Sequence, residues 1–236
     1  MTADGHALLA LQRLDSEIDA IAARRKRLPE LAVVQAAQSD IDRLTSAAAG
    51  HSASIAAALA SIEALEASGA ELDRKQARLE MQLKTIIAPR EAEALMHEID
   101  ALKAKHGALD DVELEAMEQQ STADDALAVL AIEQPPVQER LDAAKAALDA
   151  VLATMADEES AVRAQREAAA GALVDADRTL YAATRKQHGS VGFATLERHT
   201  CTGCHMDLSQ MEFERVIAEA KTGMGECPHC GRPLVV

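Results

Sequence analysis

The sequence predicts a mainly α-helical fold: a long antiparallel coiled-coil helical hairpin followed by a small C-terminal domain containing β-strands. Three observations point there. Across 236 residues there is no Trp, one Tyr and two Phe, while hydrophobic residues reach 48% largely through Ala; that is the composition of long helices packed side by side, not of a globular core. Apolar residues recur with a seven-residue period over most of the chain. All four cysteines fall after residue 200, as two Cys-x-x-Cys pairs.

The elements follow in chain order. Leu11, Leu14, Ile18, Ile21 and Leu28 form a first apolar stripe, with Arg25 intruding, and Pro29 is expected to kink this helix. From Ile41 a strict 3,4 spacing runs through Leu44, Ala48, His51, Ile55, Ala58, Ile62, Leu65, Gly69, Leu72, Gln76, Leu79, Leu83 and Ile86, nine of the fourteen being Ile or Leu. Only a 3.5-residue period keeps such a stripe on one neighbour, so a left-handed supercoil against a partner helix is predicted.

That partner is predicted within the same chain. In "IIAPREAEALMHEID", Pro89 and Glu91 suit a helix start, where a proline loses no hydrogen bond and a carboxylate meets the positive end of the dipole. Residues 85–89 are the hairpin tip. The second arm runs through Leu95, Ile99, Leu102, Leu109, Leu127, Leu130, Val137, Leu141, Leu148, Val151, Met155 and Val162, and Pro135 and Pro136 are expected to bend or break it. An arm of roughly 80 residues reaches about 120 Å at about 1.5 Å per residue, a rod without an evident catalytic pocket.

Near Arg185 the pattern changes, which divides the chain into a hairpin over 1–185 and a small domain over 186–236. Alternation from Phe193 to Arg198 suits a short strand. "LSQMEF" suits a short helix with Ser209 as N-cap, Glu212 closing a capping box, and Leu208 with Phe213 as hydrophobic staple. "KTGMGE" turns the chain, and Leu234, Val235 and Val236 suit a closing strand.

Cys201/Cys204 and Cys227/Cys230 have the spacing of four thiolates around one tetrahedral metal, and Zn2+ is the ion expected, one per chain and structural. Gly203, Gly231 and Pro228 are residues that such tight turns favour, glycine for positive φ and close approach of amides to sulfur. A domain of this size is too small for an adequate apolar core, so metal supplies much of its folding free energy. Neither pair has the βαβ setting of a redox dithiol. Four cysteines close the coordination shell, leaving His205 and His229 as exposed turn residues and no open position for catalysis.

Charge narrows the partner classes. The net charge is −15. Six Lys/Arg balance six Asp/Glu from Arg185 onward, so the first 184 residues carry the whole excess. That argues against strong non-specific attraction to nucleic acid, which needs a basic surface. The dense basic cluster is Arg24, Arg25, Lys26 and Arg27, read either as a solvated helix turn or as a phosphate or acidic-partner contact. "MTADGHALLALQRLDSE" does not read as a secretory leader, and Leu44 to Ile62, the longest uncharged run, is mostly Ala and Ser; a cytoplasmic protein without a membrane span is expected.

On "PREAEALMHEID", "LDDVELEAME", "CTGCHMDLSQMEF" and "CPHCGRPL" the chain resembles the bacterial C4-type zinc ribbon proteins, in which a coiled-coil hairpin precedes a four-cysteine ribbon. The cysteines match individually at Cys201, Cys204, Cys227 and Cys230, and Gly231 and Arg232 match the glycine and arginine after the last cysteine. The resemblance covers essentially the whole chain. It implies a non-enzymatic nucleic-acid-binding or regulatory adaptor; some relatives are linked to transcription factors and to flagellar or secretion machinery. Relatives often end in an aromatic residue after the arginine, whereas this chain ends in Pro233, Leu234, Val235 and Val236.

Two functions of different class stand at this point. One is an adaptor whose hairpin or ribbon docks a protein of the transcription, translation or secretion machinery. The other is direct RNA or DNA binding by the ribbon, with Arg232 and the Arg24, Arg25, Lys26, Arg27 cluster as contacts. The residues offer no Ser/His/Asp constellation, phosphate loop or carboxylate pair in a cleft, so no enzyme is expected. Whether hairpins dimerise is left open.

Overall fold

The structure, a computed structural model, describes residues 4–221 and 223–236. It is mostly helical: α1 (Gly5–Arg25), α2 (Pro29–Leu83), α3 (Pro89–Ala172) and α4 (Asp175–His188) precede the small strand-containing region. There β1 (Ala194–Glu197), β2 (Thr200–Cys201), β3 (Gly225–Glu226) and β4 (Pro233–Val235) form one sheet in the order β2-β1-β4-β3, with α5 (Gln210–Ala220) between β2 and β3. The chain divides into two compact units, residues 33–144 and residues 1–32 with 145–236.

Within 33–144, α2 and α3 are the arms of a helical hairpin joined by residues 84–88, one residue earlier than the expected tip. All fourteen positions of the stripe, thirteen on α2 and Ile86 in the connection, are buried or half-buried, and Leu44 and Ala58 are the most enclosed. On α3 the matching seam includes Ile99, Ala116, Ala123, Leu141 and Ala144. Alanines at so many seam positions bring the arms close and bury little area per residue. Ion pairs cross between the arms at Asp40–Arg140 (3.2 Å) and Asp73–His106 (3.3 Å). His106 also meets Asp110 (3.1 Å), and that neighbouring carboxylate raises the imidazole pKa.

Pro29 departs from expectation, and at Pro135 and Pro136 the expected break does not occur. Pro29 does not kink a continuous helix; α1 stops at Arg25 and Pro29 opens α2, where its missing N–H would be unpaired in any case. Pro135 and Pro136 lie inside an unbroken α3. The carbonyls four residues earlier, on Ala131 and Ile132, lose their helical donors, and both residues are exposed, which leaves those carbonyls open to solvent.

In the other unit, Ile21 and Leu28 pack with Met155 and Val162, joining the α1 end of the chain to α3. The α3 helix ends at Ala172, short of the expected boundary, and α4 follows as a separate helix with Asp175 and Asp177 in its first turn and Arg185, Lys186 and His188 in its last. Charges of these signs complement the helix dipole. Leu8, Leu11, Leu173, Tyr181 and Phe193 form the cluster where α1, α3, α4 and the approach to β1 meet.

Candidate metal centre

Each cysteine pair sits in a turn with the same hydrogen-bond pattern. The Cys201 amide donates to the Met206 carbonyl (3.1 Å) and the His205 amide donates to the Cys201 carbonyl (2.8 Å). In the second turn the Cys227 amide donates to the Arg232 carbonyl (2.9 Å) and the Gly231 amide to the Cys227 carbonyl (2.8 Å). Both turns place their fifth residue in the left-handed region, His205 at φ 59° and Gly231 at φ 68°. Gly231 therefore has the conformational role expected of it.

Gly203 has another role. It does not have positive φ; a Cβ there would lie 2.7 Å from Cδ of Arg232 and 3.0 Å from Cβ of Ala194, so its lack of a side chain makes room where the two turns approach. Its amide also points to the Cys201 sulfur at 3.4 Å.

Sheet pairing brings these turns together. β1 runs parallel to β4, with Ala194 opposite Leu234, and antiparallel to β2, with Leu196 opposite Cys201. β3 pairs with β4, setting the second turn beside the first. Ala194, Cys201, Leu208, Val216, Cys227 and Leu234 make a small buried cluster, with Leu196 and Phe213 against it. Ser209 caps α5 in a full capping box with Glu212, and those bonds hold the Glu212 carboxyl below its usual range. Leu208 and Phe213, on either side of that cap, belong to the same cluster, as the staple expectation requires. In the connection after α5, Thr222 of "KTGMGE" lies outside the described residues.

All four sulfurs lie within 4.8 Å of one another, and the Cys204–Cys227 separation is 3.8 Å. No disulfide joins them. A tetrahedron with bonds of about 2.3 Å has edges of about 3.8 Å, so this donor set fits a single metal ion. Burial pushes the Cys227 thiol up to about 12, offset only in part by the amides of His229 and Cys230, and it raises Cys204 as well. For Cys230 burial is outweighed by donation from the Arg232 backbone and side chain and from the neighbouring thiols, which brings it down to about 7. Buried, crowded thiols are poor isolated anions, and a cation among them removes that penalty.

The basic residues are placed elsewhere. Arg24 pairs with Glu158, and Arg25 with Glu159 (2.9 Å). Lys26 is the C-cap of α1 and Arg27 lies exposed beyond it. The Arg232 guanidinium donates to the carbonyls of Val191 (2.8 Å) and His188 (3.4 Å), tying the second turn to the end of α4. Tyr181 and Phe193 stack on each other (5.9 Å) and are buried, and Phe213 stacks on His199 (4.3 Å).

One polar cluster is absent from the sequence reading. Asp15 on α1 is buried and accepts from Tyr181 Oη (2.6 Å) and Arg166 Nε (3.1 Å), with Arg185 at 2.7 Å. Arg185 also reaches Asp19 (3.0 Å). Beside it, Gln12 makes two buried bonds with the Phe193 backbone, its Nε2 donating to the carbonyl (2.8 Å) and its Oε1 accepting from the amide (2.6 Å). These bonds fasten α1 to α3, α4 and the start of the sheet. The sequence signal was faint: polar residues spaced i, i+3 along an otherwise apolar stripe.

Comparison with known proteins agrees with this architecture. An uncharacterized protein of Mycobacterium tuberculosis, found in strains CDC 1551 and H37Rv, is 27% identical over 255 residues, covering 99% of this chain and 95% of that protein. The solved structure of CT398 from Chlamydia trachomatis has a TM-score of 0.81 at 21% identity, covering 97% of this chain and 95% of that one. The Helicobacter pylori protein HP0958 has a TM-score of 0.64 at 16% identity, covering 100% and 99%. The likeness to these structures is one of fold. Residues 11–189 match the family model of the CT398-like coiled coil hairpin domain, and the chain belongs to that family.

Proposed function

We propose that this protein is a non-enzymatic adaptor, in which a structural zinc ion in the Cys201, Cys204, Cys227, Cys230 cluster holds the C-terminal domain and a helical hairpin docks a macromolecular protein partner. The convergence of four thiols into a metal-sized cluster supports the zinc site. Zinc is the ion that a closed set of four thiolates favours in a small domain of this kind. When bound, zinc supplies cross-linking of the two turns; Cys201, Cys204, Cys227 and Cys230 are the residues that hold it.

The adaptor reading is favoured over direct nucleic-acid binding by where the candidate contacts are already spent. Arg232 is committed to backbone carbonyls, Arg24 and Arg25 to glutamates, and Tyr181 and Phe193 to each other, which leaves Lys26 and Arg27 of the candidate contacts. A stacking platform and unpaired cations are what single-stranded nucleic acid requires. Partners from the transcription, translation or secretion machinery fit this reading, and the cell interior is the compartment proposed for it. Among the described residues no helix is long and apolar enough to cross a membrane.

The test is capture of partners from the native cell by the tagged full chain, with nuclease-treated and untreated lysates compared. A protein retained after nuclease treatment is the expected result. Capture that disappears with nuclease makes nucleic acid the primary ligand, and capture of no protein in either lysate removes the adaptor reading.

A further inference from the structure

The middle of the hairpin is chemically unlike its ends. From residue 44 to 73 on α2 and from 106 to 139 on α3 there are thirteen Asp/Glu and no Lys or Arg. Elsewhere carboxylates are paired across helices, as in Asp40–Arg140, Arg24–Glu158 and Arg25–Glu159. Here the opposing arms offer only His51 and His106 within the stretch, with Lys105 beside Glu71 at its edge.

Large apolar side chains stand in the open within the same stretch: Leu59 is 49% exposed, Leu114 59% and Met117 51%, while Val112, Val129 and Ile132 are exposed on other faces of α3. Isolated exposed leucines are ordinary on protein surfaces, so placement decides. Heptads counted from the buried seam put Ile55 and Gln120 at a and Ala58 and Ala116 at d, which sets Leu59 and Met117 both at e, with Leu114 beside Met117 at i−3. In an antiparallel pair, e positions of the two helices flank the seam on one side. The contacts Asp73–His106 and Asp40–Arg140, with His51 and Ser54 lining a shallow cavity opposite Glu118, Gln119 and Thr122, place Leu59 opposite the 114–121 stretch. Leu59, Leu114 and Met117 therefore form one apolar patch on one side of the hairpin.

The acidic residues concentrate on that same side. Glu63, Glu66, Asp110 and Asp124 fall at b or e beside the patch, with Asp111 at f next to Asp110, whereas the cavity on the opposite side is lined by Glu115 and Glu118. Asp110 is bonded to His106. Among the described residues the carboxylates of Glu63, Glu66, Asp111, Glu118 and Asp124 meet no donor or cation.

From this juxtaposition we infer that the side of the hairpin bearing Leu59, Leu114 and Met117 is a docking surface for a basic amphipathic helix of another protein. The inference rests on the adaptor reading and names the chemistry of the partner. A helix with apolar residues at i, i+3, i+4 and i+7 covers the patch, and Lys or Arg flanking its stripe meets the ring of carboxylates. Nucleic acid is repelled by the same ring. A second copy of this chain is disfavoured as occupant, because each carries −15 and its dense basic run, Arg24 to Arg27, already has two arginines paired with Glu158 and Glu159. Complementary charge of this kind accelerates and orients encounter and is screened by salt.

The probe is a synthetic peptide of about 18 residues made of Leu and Lys in helical amphipathic order, titrated onto the intact chain by fluorescence anisotropy. A peptide of identical composition, scrambled to destroy the stripe, is the control for charge alone. The ordered peptide is expected to bind at least about tenfold more tightly than the scrambled one, and the triple variant Leu59→Gln, Leu114→Gln, Met117→Gln to lose at least about tenfold. The variant Glu71→Gln, Glu115→Gln, Glu133→Gln, which removes three charges from other positions, is expected to change it less than about threefold. Equal binding of both peptides, no binding of either, or full binding by the triple variant overturns the assignment. The comparison of the two peptides on the unaltered chain does not depend on any variant folding. The adaptor reading fails separately: empty capture removes it, whereas a captured partner retained by the triple variant removes only this surface.

Discussion

His205 and Gly231 hold the same position in the two cysteine turns and the same left-handed backbone, at φ 59° and 68°. A side chain in that region costs roughly 1–2 kcal/mol. Gly231→Ala is therefore expected to destabilise the C-terminal domain by about 1–2 kcal/mol, whereas His205→Gly is expected to be neutral or stabilising. Denaturant unfolding of the metal-loaded protein, followed by protease accessibility after residue 190, separates the two; equal losses at both positions would show that φ is not what Gly231 supplies. Asp15 carries a second prediction at this scale. Burial raises its pKa, but the bonds from Tyr181 and Arg166 and the charges of Arg166 and Arg185 prevail and hold it below the ordinary 3.8. A carboxylate depressed in the folded state contributes stability that is fully present above its unfolded pKa and is lost as pH falls through the folded one. Asp15→Asn is expected to cost about 2 kcal/mol near neutrality, with the difference from the parent chain shrinking as pH falls below about 4. A pH-independent difference in thermal unfolding would contradict it.

At the scale of elements, the seven-residue stripe was legible because seam burial repeats over many turns and no single residue has to be right. All fourteen stripe positions from Ile41 to Ile86, thirteen of them on α2, are buried or half-buried, including Gly69 and Gln76, which are neither large nor uniformly apolar. The capping box at Ser209 and the cysteine turns were legible for the opposite reason, since each is a local pattern closed within a few residues. What was not legible depends on distant partners. Nothing near Asp15 in sequence announces Tyr181 and Arg185, more than 160 residues away, and nothing near Gly203 announces the Arg232 side chain that needs its space. Of the two outcomes expected at Pro135 and Pro136, a bend or a break, the break does not occur, because proline's local cost is set against the helix on either side. In an 84-residue α3 packed along a seam, two lost hydrogen bonds on exposed backbone are outweighed. Their cost persists, up to about 3 kcal/mol each. Replacing both by Ala is accordingly expected to raise the midpoint of thermal unfolding by circular dichroism; a lower midpoint would mean that the prolines shape a bend the hairpin requires.

At the scale of the whole molecule, the hairpin seam and the Asp15 cluster need no metal, whereas the two cysteine turns gather two buried and two half-buried thiols into a cluster that fits a metal ion. Chelation is expected to open the chain to proteases after about residue 190, where the metal supplies the folding free energy, and to leave helical circular dichroism nearly intact. The magnitudes favour this: α5 contributes 11 helical residues against 55 in α2 and 84 in α3. Loss of most of the helical signal would instead tie the hairpin's stability to the metal. The adaptor reading proposed above presupposes an intact C-terminal domain, and in that reading the domain rests on one coordination sphere. X-ray absorption at the zinc edge, with elemental analysis of the full chain purified without chelator, examines it directly. One zinc per chain with four sulfur neighbours at about 2.3 Å is expected; a nitrogen neighbour, iron in place of zinc, or no metal would show that Cys201, Cys204, Cys227 and Cys230 do not form a four-thiolate zinc site.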